Sequence, residues 1–217
     1  MLLQRCTERA RQLAALAAFV VAAGCASPGP KSAGPEAAAG VTAEGEAVVV
    51  EIPPQARTLF EQAVAVMAAG DFVDAELRFE EFLLLYPAYP GAHVNLAIVH
   101  VQNGDDQAAG ASLDAALALD PDYAPALNQQ GMLLRRNGKF LEAEAAYLKA
   151  VTASPDYALA HYNLGVLYEL YLQRLDAALH HFEVYQDLEG GDKQVEKWIA
   201  DLRRRVAANQ RTANVAE

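Results

Sequence analysis

From residue 55 to about residue 189 the chain repeats itself every 34 residues, and this period limits its folds more sharply than any other feature. Gly70, Gly104 and Gly138 share the spacing, as do Ala75, Ala109 and Ala143, and Pro87, Pro121 and Pro155. Tyr89, Tyr123 and Tyr157 follow each proline by two positions, and small residues return at Ala63, Ala97, Gly131 and Gly165. A period of this length marks stacked units, each too small to bury its own apolar face and each covered by its neighbour. The hydrophobic fraction of 53% leans on alanine, which suits closely packed helices better than sheets.

Each series has a physical role in a pair of helices. A glycine just past the first helix takes up a left-handed backbone at least cost. Small residues let helix axes approach where they cross, and Phe79, Leu113 and Tyr147 fill the remaining space. Proline after the second helix prevents its continuation. The cleanest copy is residues 124–157, APALNQQGMLLRRNGKFLEAEAAYLKAVTASPDY. These series resemble the tetratricopeptide repeat, a 34-residue helix–turn–helix unit. The resemblance implies an all-α fold, a right-handed α-solenoid of about four units over residues 55–189.

The copies depart from one another in places. Gln62 and Gln130 stand where Leu96 and Leu164 are the usual type, and His93 and His161 replace a bulky apolar residue as packing substitutes. The fourth unit carries one extra residue before Leu175, which moves its alanine to Ala178 and its aromatic to Phe182, and it closes with Gly190-Gly191 in place of proline. Asp192 is placed to N-cap a further helix, in which Val195, Trp198, Ile199, Leu202 and Val206 recur at helical spacing. Residues 190–208 are therefore expected to cap the array, with 209–217 a frayed tail.

Catalytic chemistry finds no foothold in the pattern. The four serines (Ser27, Ser32, Ser112 and Ser154) lie outside nucleophile motifs. His180 and His181 are helix neighbours pointing about 100° apart, where a chelating pair needs i, i+4 spacing. Asp105-Asp106 and Glu80-Glu81 read as solvated pairs on turns or polar faces, and no phosphate-cradling glycine loop appears. The expectation is a binding module without cofactor or metal.

The N-terminus carries a separate message. Arg5, Arg9 and Arg11 precede LAALAAFVVAA, eleven uncharged residues from Leu13 to Ala23, too few for the roughly 20 needed to cross a bilayer. A basic start, a short apolar core and small residues describe a secretory signal peptide. Ala22-Ala23-Gly24 before Cys25 resemble the lipobox of bacterial lipoproteins, although leucine is commoner at the place of Ala22. That resemblance implies cleavage after residue 24, acylation of Cys25 and, since Ala26 is not aspartate, an outer-membrane anchor facing the periplasm. Cleavage by the ordinary peptidase and a cytosolic chain with an apolar first helix are the alternatives. Residues 25–54 then form a flexible tether rich in Pro, Gly and Ala, spanning roughly 30 Å, interrupted by the β-prone Val48-Val49-Val50-Glu51-Ile52. Without residues 1–24 the chain has 14 basic and 27 acidic side chains, net −13. That balance opposes binding to nucleic acid or to an anionic lipid surface.

In the tetratricopeptide family the ligand lies against one stripe of each first helix. Carried over, the stripe is Arg57, Phe60, Val64 and Met67, then Val94, Ile98 and Val101, then Asn128, Met132 and Arg135, then Tyr162, Val166 and Glu169. Phe60 and Val64 stand where chaperone-binding members place lysine and asparagine, which argues against a carboxylate clamp. A trough of this composition suits an apolar peptide or one face of an amphipathic helix, with Arg135 and Arg136 orienting an acidic flank. The chain's own Val48–Ile52 run and a second copy, in a homodimer, are the competing occupants. Lipoproteins of this family include pilus pilotins that escort a secretin, scaffolds for peptidoglycan hydrolases and components of the outer-membrane β-barrel assembly machine. Their likeness implies an adaptor in an envelope complex.

Overall fold

The computed structural model describes residues 40–41, 47–48 and 52–215. The expected signal peptide, Cys25 and most of the tether lie outside the described residues. Within the tether a short antiparallel ribbon pairs β1 (Gly40–Val41) with β2 (Ala47–Val48), Gly40 opposite Val48 and Val41 opposite Ala47.

The array follows as helix pairs: α1 (Pro54–Ala68) with α2 (Phe72–Leu85), α3 (Pro90–Asn103) with α4 (Asp106–Leu119), α5 (Ala124–Arg136) with α6 (Phe140–Ala153), and α7 (Ala158–Leu170) with α8 (Leu175–Glu189). A last helix, α9 (Lys193–Val215), closes the chain. Local chemistry sets these limits. Pro54, Pro90 and Pro125 stand in the first turns of α1, α3 and α5, where a missing N–H costs nothing. The Asp71 carboxylate accepts from the backbone N–H of Asp74 at 3.1 Å and so caps α2. One unit on, the Asp105 carboxylate caps α4 by accepting from the backbone N–H of Ala108 at 2.8 Å. Gly70, Gly104 and Gly138 turn the chain between helices at φ +83°, +84° and +74°. In the fourth unit the extra residue brings Gln173 to that place. It holds φ 54° without being glycine, and its side-chain Nε2 donates to the carbonyls of Glu169 and Leu170.

Consecutive helices pack throughout, and the first helices of neighbouring units also touch (α1 on α3, α3 on α5, α5 on α7), whereas the second helices do not meet one another. First helices therefore form one wall of the solenoid and second helices the other. Phe79, Leu113, Tyr147 and Phe182 recur in register and are all buried; each contributes roughly 1.5–3 kcal/mol of burial. The small residues opposite them are required by contact. A β-carbon on Gly131 would lie 2.5 Å from the Tyr147 ring, and one on Gly165 would lie 2.7 Å from Phe182.

The cap forms as its sequence indicates at the start and differs at the end. Asp192 Oδ1 accepts from the N–H groups of Gln194 (2.9 Å) and Val195 (3.2 Å), and Val195, Ile199, Leu202 and Val206 are buried. Arg203 bonds Glu183 of α8 at 2.7 Å and Arg205 bonds Glu169 of α7 at 2.6 Å. The backbone then stays helical to Val215, through most of the expected frayed tail. Ala207, Ala208 and Ala213 favour helix, no Gly or Pro intervenes, and Gln210 reaches Asp176 of α8 at 3.4 Å.

Candidate peptide-binding face

The first-helix wall does not expose the whole expected stripe. Phe60, Met67, Val94, Ile98, Asn128 and Tyr162 are buried, which corrects their assignment to an open groove. The cause is the stacking itself. Phe60 meets the rings of Phe79 and Phe82 on its partner helix at 5.9 and 5.6 Å. Asn128, two units on in the sequence pattern from Phe60, accepts from Asn163 Nδ2 of α7 at 2.9 Å. Tyr162 packs under Trp198 of the cap at 6.2 Å and edge-on to Phe182 at 5.9 Å. This series points into the layer between helices. Helical spacing names a face, but not which neighbour covers it.

Val64, Val101, Met132, Arg135, Val166 and Glu169 remain half-exposed, and Arg57 is exposed. Val64 and Val101 pack at the margin of the core of the first two units, and Met132 and Val166 at the margin of the core of the last two. Of the two arginines expected at the third unit, Arg136 is engaged, with Nε 3.4 Å from Asp106 and Nη1 donating to the Val101 carbonyl at 3.2 Å. Arg135 has no carboxylate partner among the described residues; its guanidinium lies 6.0 Å from the centre of the Tyr171 ring. Tyr171, exposed and set 4.7 Å from Phe140, was not singled out by its sequence pattern, since it falls in the irregular turn of the fourth unit. Beneath it the Tyr147 hydroxyl is buried without a hydrogen-bond partner among the described residues, and burial raises its pKa above the ordinary tyrosine value.

The histidines form a second constellation. His93 and His161 direct Nε2 at the carbonyls of Pro87 (3.2 Å) and Pro155 (3.1 Å), one turn proline each, so the packing substitutes also tie each first helix to the turn before it. His161 Nδ1 lies 3.0 Å from His181 Nδ1 of α8, a pairing twenty residues apart that sequence spacing does not reveal. Tyr168 stacks on His181 at 5.6 Å and donates to Glu144 at 2.8 Å, which also holds Arg174 at 2.6 Å. Burial, then the charges of His161 and His180, pushes the His181 pKa down to about 4. Burial also lowers His161, opposed by the Pro155 carbonyl, and lowers His93, opposed by the Pro87 carbonyl. No group of three metal-ligating side chains occurs among the described residues, and no described helix is long and apolar enough to cross a membrane.

Models of the tetratricopeptide repeat match residues 60–124, 112–145 and 131–170, together about half of the chain. No curated protein matches it. Among solved structures, PilF of Pseudomonas aeruginosa is 25% identical with a TM-score of 0.62, the match covering 71% of this chain and 72% of that one. MamA is 27% identical with a TM-score of 0.53, over 63% of this chain and 80% of its own. A thermophilic TPR protein of Thermus thermophilus is 23% identical with a TM-score of 0.62, over 69% and 82% of the two chains, and shares the fold. With period, helix pairs, small-residue crossings and family models in agreement, the chain belongs to the tetratricopeptide repeat family.

Proposed function

We propose that the protein is a lipid-anchored adaptor that holds a partner segment against its first-helix wall and so scaffolds a complex of the bacterial envelope. The carrying observation is the half-exposed line of Val64, Val101, Met132 and Val166 with the unpaired Arg135 among them. A short apolar or amphipathic segment with an acidic group beside the third unit matches that line in shape and charge. Because Phe60, Val94, Ile98, Asn128 and Tyr162 all belong to the core, the contact falls on one half-exposed apolar side chain per unit, with the charge supplied at the third. The anchor rests on the order basic, apolar, small, Cys25 at the N-terminus. Three or more acyl chains would make it firm, where one alone binds marginally. The place of the anchor is the outer membrane, facing the periplasm, as the residue after Cys25 implies.

Two measurements test the two halves. Mass spectrometry of the mature N-terminus should find an acylated cysteine, and Cys25→Ser should leave an uncleaved or mislocalised precursor; a mature chain beginning at an unmodified Ser27 refutes the anchor. Met132→Asp with Arg135→Glu should abolish co-purification of partners from detergent-solubilised envelopes while helical content is kept. A second reading has one observation in its favour: Ile52, at the end of the β-prone run, packs against the core of the first two units, the place from which a Val48–Ile52 segment would reach the wall. Deleting residues 48–52 removes the Ile52 packing under either reading, so partner binding decides: it should rise if the run is the native occupant and stay unchanged if the occupant is external.

A further inference from the structure

The second-helix wall carries an apolar stripe that the fold does not need. Val73, Leu77 and Leu84 on α2 are 69%, 60% and 83% exposed, at spacings of four and seven residues that align them on one face. Scattered exposed leucines mean little by themselves. The repeat, however, supplies a control within the same molecule. In α8 the equivalent positions, shifted by the extra residue, are Asp176, His180 and Asp187, also exposed. A second helix of this array thus accepts polar residues at every one of these places, Asp176 with Gln210 of the cap beside it and His180 and Asp187 in the open. Glu80 and Glu81 stand in the middle of the stripe on α2, both exposed, with no ion pair or hydrogen bond among the described residues.

We infer that the outer face of α2 is a second docking surface, separate from the first-helix wall, for a basic amphipathic helix of a protein partner. Apolar side chains of such a helix would cover Val73, Leu77 and Leu84, and its lysines or arginines would meet Glu80 and Glu81. Charge selects this occupant over the others. Two copies of α2 laid antiparallel through the stripe would centre between Leu77 and Leu84, bringing Glu80 and Glu81 of both copies face to face, and like charges so placed repel. An anionic lipid surface is opposed by the same carboxylates.

The test uses the full chain and three synthetic helical peptides: leucine on one face and lysine on the other, the same with serine for leucine, and the same with glutamate for lysine. Binding is read by fluorescence anisotropy and by amide chemical-shift mapping. The leucine–lysine peptide should bind and shift amides of α2, and the other two should bind at least tenfold more weakly. Leu77→Ser with Leu84→Ser should weaken binding on the order of 30-fold, from the loss of two anchors. Glu80→Gln with Glu81→Gln should weaken it several-fold and flatten its dependence on salt. Leu141→Ser with Leu148→Ser on α6, and Met132→Asp on the first-helix wall, should leave it unchanged; the last of these separates this surface from the proposed adaptor site. All these α2 positions are exposed, so circular dichroism should show an unaltered fold. Equal binding of the serine–lysine peptide, equal loss on α6, or shifts confined to the first-helix wall would overturn the inference. So would self-association, or partition onto phosphatidylglycerol vesicles, that the Leu77/Leu84 change abolishes.

Discussion

Acidification should loosen the fourth unit before the others, through His161 and His181. With both imidazoles neutral, as their burial favours, the Pro155 carbonyl holds the His161 proton on Nε2, and His181 Nδ1 donates to His161 Nδ1 across 3.0 Å. The groups against them are His180 and the Tyr168 ring, whose hydroxyl donates to Glu144 of the Glu144–Arg174 pair. An unfolded histidine titrates near 6.5, and burial brings His181 down to about 4 in the fold. Between those values the unfolded chain binds more protons than the native one, so stability rises with pH and is lost as pH falls through that window. At pH 5 the difference amounts to roughly 2 kcal/mol from His181, with His161 and His93 adding in the same direction. The chain's single tryptophan, Trp198, sits 5.7 Å from Phe182 beside this unit, and its fluorescence reports the local transition. Urea unfolding followed at Trp198 should show the loss between pH 7.5 and 5. In His161→Leu with His181→Phe, which keeps a ring against Tyr168 and uses the residue found at the equivalent Leu127, most of that loss should disappear. Carboxylates titrate equally in both proteins, so the comparison isolates the imidazoles. If the two proteins lose the same stability over this range, the buried neutral pair is not what the fold holds.

Gly131→Ala should destabilise by roughly 1–3 kcal/mol despite the gain in helix propensity, because the Tyr147 ring stands 2.5 Å from the new β-carbon. Gly110→Ala, whose β-carbon meets only Leu133 at 3.9 Å, should instead stabilise by about 0.5–1 kcal/mol; thermal melts that fail to separate the two refute the helix contact described. At Gln173 a left-handed backbone costs about 1 kcal/mol for a residue with a β-carbon, while its side chain caps α7 through the carbonyls of Glu169 and Leu170. Gln173→Gly should therefore match or exceed the wild type in melting temperature and Gln173→Ala should fall below it, an order that reverses if the turn is not left-handed.

The fold was legible because its signals are local and repeated. Gly104 terminates α3, Asp105 caps α4 and Gly131 admits Tyr147 for reasons contained within a few residues or one period. The binding face was legible only in part, for the opposite reason. Whether Asn128 faces solvent depends on Asn163, in the next unit, and whether Tyr162 does depends on Trp198 in the cap. A periodic sequence gives every unit the same face but not the same neighbours. His181 was harder still, since the residue pairing with it lies twenty positions back and the equivalent place in the third unit is Ala146.

Departures from the period are therefore the informative positions. Within an array whose units share one backbone, a residue that differs from its equivalents is explained either by a neighbour that only its own unit has or by something outside the described structure. Leu77 against His180 and Leu84 against Asp187 are such differences on the outer wall, and the unpaired Arg135 against Val101 and Glu169 is one on the inner wall. Glu169 is occupied by Arg205 of the cap and Val101 offers its carbonyl to Arg136, so of this series Arg135 alone carries a charge with no carboxylate opposite it among the described residues, only the Tyr171 ring at 6.0 Å. Exchanging Arg135 for the valine of the second unit should lower the melting temperature by no more than about 2 °C, since it gives up only a long contact to the Tyr171 ring, about 0.5 kcal/mol at a half-exposed site. Partner capture should nevertheless fall. A stability loss without loss of capture would make Arg135 a packing residue and move the acidic contact of the partner elsewhere on the wall.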